Sequence, residues 1–574
     1  RNSGNLMENS AFLYALCLLA GLVILRKLQV RLRLSRAKHP SLRGHSKLAR
    51  RIARIIPYYA YSENEFFTSD GAPDEITQQR RQGFSTLQQG FMQRSPESIR
   101  LSASLEDSIS DVRFTNAYRV PFQYRDYISK HMKTGSIVEA SSGTRVRDMD
   151  GNWSYDLTGS YGVNVLGYDF YKTCIEKGIE RVRELGPVLG PYHPLIADNV
   201  SRLKSISGLD EVSFHMSGTE AVMQAVNLAR YHTRKSHLVR FCGAYHGWWD
   251  GVQPGIGTHR DVNDVYTLKD MDVDTLKVLR TRNDIACVLV NPLQALHPNA
   301  NAPGDAMLIN SERSAGFDRK AYTEWLRQLR QVCSRRGIVL IFDEVFVGFR
   351  IAYRGAQEYF GINADMVTYG KTLGGGLPVG VVCGKHALMK RYRDDRPSDI
   401  CFARGTFNSH PYVMGAMNEF LCRIDDPAVK AAYVELDAIW NSRVEKLNRR
   451  LKTMDLPVQV ANMSSIWTIT YTRPSRYNWM FQYYLKSVGL AKSWVGSGRL
   501  ILSHNFTEKE YEAVMERFVS AATAMQEDGW WWHADDLTNR SIKRTILHEM
   551  LAIRLGRSRQ PRGGCGEQPV AENP

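Results

Sequence analysis

Hydrophobic positions fall into distinct patterns along the chain. Between about residues 160 and 412, short β-branched or apolar runs alternate with longer stretches of helical periodicity, which predicts a parallel α/β sheet. The runs are residues 238–241, 286–290, 338–342 and 366–369. A helix is predicted over about 220–231, with Ala221, Ala225, Leu228 and Ala229 on its packing face. Residues 11–25 form a different pattern: fifteen positions without a charge or a strongly polar side chain. As a helix they span about 22 Å, short of a hydrocarbon core of about 30 Å. Leu28, Val30 and snorkelling Arg26 and Lys27 extend that reach.

A third pattern follows at once. Leu48, Ile52, Ile55 and Ile56 recur at helical spacing with Lys47, Arg50, Arg51 and Arg54 on other faces, and Pro57 ends the segment. This is a short basic amphipathic helix suited to anionic lipid; the alternative is a helix packed on the protein body. Residues 60–112 are polar and mixed in charge and read as an irregular spacer or arm. Trp530, Trp531 and Trp532 close the apparent core, and packing explains them better than a membrane-interface belt. Residues 541–557 then read as a basic helix before a Gly/Pro-rich, disordered tail.

At 574 residues the chain is too long for one simple core. Its net charge of +16 would suggest nucleic acid, but residues 26–54 hold eleven Lys or Arg and no Asp or Glu, which leaves +5 for everything else. The excess is therefore local, and lipid rather than nucleic acid is the expected partner. The nine cysteines include no C-x-x-C pair, and Cys242, Cys287 and Cys383 sit in apolar runs. Reduced thiols in a cytosolic body are expected, without a metal site.

The apolar segment 11–25 admits three readings. A signal peptide wants positive charge before the apolar run, and here the charge follows it. A buried soluble helix normally keeps a polar face, which this one lacks. A membrane anchor fits best, single-pass in preference to lying on the surface, and the basic flank then places the rest of the chain on the cytoplasmic side.

The chemistry sits at the ends of the apolar runs. Lys371 follows one run and precedes Gly374, Gly375 and Gly376; Asp343 follows another. An amine that forms a Schiff base needs to be desolvated and aimed, and a strand end with a glycine-rich loop does both. A carboxylate on a neighbouring strand end can hold a pyridinium nitrogen, so the pair points to pyridoxal 5'-phosphate. Ser217, Gly218 and Thr219 open the helix of residues 220–231, where free N–H groups favour a phosphate; an ordinary N-cap is the plain alternative.

The surrounding motifs resemble those of the class III aminotransferases. They are Phe214 to Ala221, Gly243-Ala244-Tyr245-His246-Gly247, Asp343-Glu344-Val345 with Gly348-Phe349-Arg350, and Gly405-Thr406-Phe407, all in the family's order. The likeness covers roughly residues 115–525 and is nearest to the glutamate-1-semialdehyde 2,1-aminomutase branch. It implies a fold type I pyridoxal-phosphate transferase, with a large parallel-sheet cofactor domain and a smaller α/β C-terminal domain; the N-terminal membrane-anchor helix lies outside the likeness and is expected from the apolar run alone.

The same resemblance implies roles. Tyr245 would stack on the cofactor ring, His246 would either give a supporting hydrogen bond or take a chemical role, Val345 would line the cofactor, and Thr406 would reach the phosphate of a neighbouring subunit, so a homodimer is expected. Gln294 matches a glutamine directed at the phenolic oxygen, whereas Asn291 stands where the family usually has Glu and Leu296 where the aminomutases tend to have Asn. Arg119 is a candidate for substrate carboxylate, with a structural arginine as the alternative. Trp248 and Trp249 bring apolar bulk to the expected mouth of the site, with simple packing as the alternative. The loop after Tyr245-His246-Gly247 is shorter than the aminomutase lid.

The expected organisation is a membrane-anchor helix within residues 1–30, a basic helix and spacer over 31–112, and a first part of the small domain over 113–160. The cofactor domain then takes 161–412, the rest of the small domain 413–532, and a basic helix with tail 533–574. The expected activity is transfer of an amino group from an amino donor to a hydrophobic or carrier-bound aldehyde or ketone. The alternatives are glutamate-1-semialdehyde aminomutase and, from another class, an inactive membrane-tethered scaffold.

Overall fold

The computed structural model describes residues 2–39, 46–118, 120–135, 137–252, 260, 263–299, 315–492 and 499–556. Arg119, the residues from 253 to 259 in the loop after Tyr245, and the tail beyond residue 556 lie outside them. The chain forms two compact units: residues 1–50, 178–300 and 318–422 make the first, and residues 51–177, 301–317 and 423–574 the second.

The helices used below are α1 (Asn2–Ala37), α2 (Ser46–Ala53), α3 (Gly218–Thr233), α4 (Val273–Thr281) and α5 (Asn539–Arg554). The first unit is built on a seven-stranded sheet of β1 (Glu211–His215), β2 (His237–Phe241), β3 (Val265–Leu268), β4 (Ile285–Val290), β5 (Val339–Asp343), β6 (Met366–Gly370) and β7 (Gly380–Gly384). Their spatial order is β1-β7-β6-β5-β4-β2-β3. β4 to β7 are buried at every position, as expected of strands covered on both faces.

The sheet is mixed rather than parallel, which corrects the expectation from the hydrophobic pattern. β7 runs antiparallel to both β1 and β6, and the other pairs are parallel. The cause is the short connection from β6 to β7, residues 371–379, which holds only one 3-10 turn. A parallel return needs a crossover of a dozen residues or more. β1, β3 and β7 had no apolar run long enough to stand out in the sequence.

α3 starts at Ser217, whose Oγ accepts the Glu220 N–H at 3.3 Å, and it buries Ala221, Ala225, Leu228 and Ala229 completely. The helix so pinned holds its N-terminus at the carboxyl ends of the strands. α1 is much longer than the apolar run alone. Its stretch from Phe12 onward is exposed, with Leu18 67% and Ile24 66% accessible, and it is long and apolar enough to cross a membrane. Its far end is fastened: α1 packs on α4, Ala37 is fully buried, and the Lys269 N–H donates to the Ala37 carbonyl at 2.8 Å. Lys38 adds a single antiparallel bridge to Leu268 at the sheet edge.

The second unit contains a four-stranded sheet (Val138–Ser142, Arg145–Asp148, Trp153–Asp156, Leu490–Ala491) and an antiparallel three-stranded one (Val458–Met463, Ile466–Tyr471, Arg499–Ile501). Residues 63–106 are not the irregular spacer expected from their polarity. They form helices Glu63–Thr68, Asp74–Arg94 and Pro96–Glu106, and bury Phe66, Phe67, Phe84, Leu87 and Phe91 in the core of this unit. The few apolar residues are large aromatics at helical spacing, so a mostly polar segment still gains enough burial to fold. Trp530 and Trp531 are buried in the same core.

Candidate active site

The candidate residues of the first unit gather at the carboxyl ends of β2, β4, β5 and β6, the place where open α/β sheets bind ligands. Asp343 ends β5 and is 4% exposed. One carboxylate oxygen, Oδ2, faces Nδ1 of His246 at 2.7 Å; the other, Oδ1, accepts the Val345 N–H and the Thr368 hydroxyl, each at 3.2 Å. The carboxylate is thereby fixed in rotation. Burial pushes the His246 imidazole below its ordinary value, against the opposing hydrogen bond and charge of Asp343. A neutral ring donating from Nδ1 satisfies both facts. Its Nε2 is buried and has no partner among the described residues.

Lys371 follows β6 directly. Burial lowers its ammonium below the usual lysine value, the Asp343 charge opposes this, and the buried Arg350 adds to the lowering. Its backbone holds φ at +46°, a left-handed conformation that a non-glycine residue adopts at a cost of about 1–3 kcal/mol. Nζ lies 5.4 Å from the centre of the Phe346 ring. A desolvated amine on a strained turn between a buried strand and a glycine-rich loop is aimed rather than free to swing.

Ser217, Gly218 and Thr219 stand at the N-terminus of α3, where unsatisfied N–H groups and the helix dipole favour an anion. The backbone here is crowded. A Cβ on Gly218 would meet Val345 Cγ1 at 2.6 Å, and one on Gly247, whose φ is +90°, would meet Thr219 Oγ1 at 2.6 Å. These two glycines allow the loops after β2 and β5 to close on the helix start, so that Val345, Thr219 and the Tyr245 loop share one cradle. Gly405, beside Thr406, also lies near the first turn of α3: a Cβ there would be 3.8 Å from Glu220 Oε2. Thr406 itself is exposed.

Tyr245 presents a 57% exposed ring, and burial and then the Asp343 charge raise its phenol. Its carbonyl accepts the Asn291 side-chain amide at 2.9 Å, while Asn291 Oδ1 accepts the Leu293 N–H at 3.1 Å. The asparagine that departs from the family pattern thus ties the Tyr245 loop to the end of β4. Gln294 is buried, and its amide nitrogen donates to the Cys242 carbonyl at 2.8 Å. The two tryptophans part company. Trp249 packs against the core beneath α3 and stacks where a Gly251 Cβ would be, at 2.0 Å from its ring, whereas Trp248 is 74% exposed.

Sequence reasoning assigned no role to Thr368, Asn291 or Arg350. Thr368 lies two residues before the strand end, facing Asp343 across the parallel β5–β6 register. Its alternation on β6 was a signal only once the neighbouring strand was known. Glu344, next to Asp343, is buried with Oε2 accepting the Ala356 N–H at 2.7 Å, and burial raises its carboxyl to about 8. Gly355 makes room for it, since a Cβ there would lie 1.8 Å from Glu344 Oε2.

These residues fit pyridoxal 5'-phosphate. The crowded glycine cradle at a helix start suits a phosphate, the fixed buried carboxylate suits a ring nitrogen, and the desolvated amine suits attachment. A profile of the "Aminotransferase class-III" family matches residues 127–522. Among curated proteins, a glutamate-1-semialdehyde 2,1-aminomutase of Alkaliphilus oremlandii is 34% identical over 299 residues, 49% of this chain and 64% of that protein. The matched stretch therefore spans just under two thirds of that relative. Among solved structures, an omega-transaminase from Sphaerobacter thermophilus has a TM-score of 0.58 at 24% identity, over 69% of this chain and 92% of its own. A glutamate-1-semialdehyde-aminomutase from Pseudomonas aeruginosa PAO1 has a TM-score of 0.63 at 17% identity, over 79% of this chain and 99% of its own. Both share the fold.

Proposed function

The chain belongs to the class-III aminotransferase family, and on that premise we propose that it is a membrane-held, cytosol-facing aminotransferase acting on a hydrophobic or carrier-bound aldehyde or ketone. The family's cofactor is pyridoxal 5'-phosphate. When bound, it supplies an aldehyde for the amino group and an electron sink. Lys371 would hold it, Asp343 would face the ring nitrogen, Tyr245 and Val345 would flank the ring, and Ser217, Gly218 and Thr219 would take the phosphate.

Each residue then has a task set by its surroundings. Burial raises the fraction of Lys371 present as free amine, so Nζ can accept a proton from the substrate carbon and return it. Asp343 cannot rotate away from its partner, because His246, Thr368 and the Val345 N–H hold both oxygens. His246 Nδ1 keeps its proton on the Asp343 side. Thr406 and the exposed Phe402 and Phe407 around it suit a loop completed by a second copy, so we read the active form as a homodimer.

The observation that carries the substrate class is α1: an exposed apolar stretch whose end is tied into the sheet edge of the catalytic unit. A helix of that kind brings the enzyme to lipid, where each buried methylene of a long-chain substrate is worth about 0.8 kcal/mol and raises its local concentration. A second reading is favoured by the names of the curated relatives, glutamate-1-semialdehyde 2,1-aminomutase. Leu296 and the short loop after Gly247 weigh against it.

The test uses detergent-purified enzyme carrying the amine form of the cofactor. Aldehydes of increasing chain length and glutamate semialdehyde are offered in turn, and the return of the cofactor's aldehyde-form absorbance is timed. Faster return with longer chains supports the proposal, and a response to glutamate semialdehyde alone refutes it in favour of the aminomutase.

A further inference from the structure

α5 carries two apolar stripes whose centres lie about 140° apart around its axis. Ile542, Ile546 and Met550 recur every four residues and are buried in the core of the second unit. Leu547 and Leu551, with Leu555 at the C-cap just past the helix, recur at the same spacing and are 57%, 55% and 70% exposed. At about 100° per residue, Arg540 and Arg544 fall within this outer stripe and Arg554 flanks it. The helix has one carboxylate, Glu549, and it points inward. Its Oε2 accepts the Tyr59 and Tyr61 hydroxyls at 2.7 Å each, and Oε1 pairs with Arg476 at 3.1 Å. The outward face of the helix is therefore leucine and arginine only along its centre, with no negative charge from α5 itself.

The chain continues this face. Arg554 Nη1 donates to the Ile55 carbonyl at 3.0 Å, which sets the half-exposed Ile55 beside the end of α5. Arg51 and Arg54 immediately precede it. The helix also lies beyond the residues matched by the family profile, so the shared fold does not account for its outer stripe.

We propose that the outer face of α5, with Ile55, is a docking surface for an anionic lipid bilayer. The leucines enter the acyl boundary and the arginines before and beside them reach the headgroups, as in helices that lie in the interface plane. A bilayer is the favoured occupant because the exposed leucines are preceded by Arg540 and Arg544 and flanked by Arg554 on the same helix, and because the chain that reaches Ile55 comes through the basic residues 26–54 from the exposed apolar helix α1. This extends the membrane-held reading by a second, separate contact, and the two can fail independently.

The experiment uses the full chain loaded with cofactor, with the apolar run interrupted by Leu18→Lys and Leu22→Lys so that α1 cannot insert. It is sedimented with phosphatidylcholine vesicles with and without about 30% phosphatidylserine. The expected result is binding to the phosphatidylserine vesicles that falls with salt. Adding Leu547→Ser, Leu551→Ser and Leu555→Ser should lower the bound fraction at least about tenfold while leaving turnover of a water-soluble acceptor unchanged. Equal binding with and without the serine substitutions overturns the proposal, as does failure of the interrupted chain to bind phosphatidylserine vesicles. A change in oligomer mass on adding the serines, without vesicles present, also overturns it and makes the stripe a contact between copies. Fractionation of the unaltered chain with or without membranes judges α1 separately.

Discussion

Two clusters of buried polar groups, one in each unit, end with opposite chemical characters. In the second unit, the side chains of Arg80 and Asp70 are both fully buried, and every guanidinium nitrogen has a partner: Nε donates to the Gly529 carbonyl, Nη1 to the Phe67 carbonyl and to Asp70, and Nη2 to Asp70, all at 2.7–3.0 Å. It also lies 4.4 Å over the Tyr477 ring. In the first unit, Lys371 is desolvated and held on a strained backbone, and His246 keeps a buried Nε2 without a partner among the described residues. Burial alone does not make a site. The cluster in the first unit differs in holding a desolvated amine and an imidazole nitrogen that can take a further partner, whereas a group whose interactions are already complete has no reason to bind anything further.

The sharpest way to test that contrast is to remove the key group from each cluster. Lys371→Ala should lower turnover at least about a thousandfold, since it deletes both the attachment and the proton carrier. It should leave the thermal unfolding transition within a few degrees of its starting point. A retained rate would break the comparison at its functional end.

Asp70→Ala should do the reverse. It strands the buried Arg80 charge and should cost about 3–5 kcal/mol of stability, measured by urea unfolding, with turnover per folded molecule unchanged. Arg80→Met on top of it should recover much of the loss. An Asp70→Ala protein as stable as its parent would show that this network is ornament rather than scaffold.

A pH-dependent effect belongs to Glu344, which borders the active-site cluster but is held by backbone. Its folded carboxyl titrates near 8 against an ordinary value of 4.5. The folded state therefore binds the proton more tightly than the unfolded chain. The stabilisation is complete below about pH 4.5 and is lost as pH rises through about 8, with a slope of up to ~1.4 kcal/mol per pH unit. Glu344→Gln should flatten that slope in unfolding measurements at pH 5 to 8, and an unchanged slope would assign it to another group.

Legibility in the sequence followed the range of each signal. Lys371 and Asp343 were readable because each ends a continuous apolar run, and the start of α3 because Ser217 precedes a helical pattern. β7 escaped because five residues with glycine at both ends carry little periodicity, and its antiparallel direction is decided by a short connection. Residues 63–106 were misread because a few large aromatics fold a segment whose average composition is polar. Trp248 and Trp249 are adjacent and chemically identical, so nothing local could have packed one against the core and left the other in solvent.

By itself, then, the sequence determined the family, the amine and carboxylate at two strand ends, and an apolar helix followed by basic residues, all properties of contiguous stretches. The tertiary structure alone decided that His246, 97 residues away, meets Asp343 at 2.7 Å, that Thr368 completes the carboxylate's hold, that Asn291 ties down the Tyr245 loop, and which stripe of α5 faces outward. Those outcomes depend on which distant strands pair and in what register, and a hydrogen bond between remote residues leaves no periodic trace in either segment.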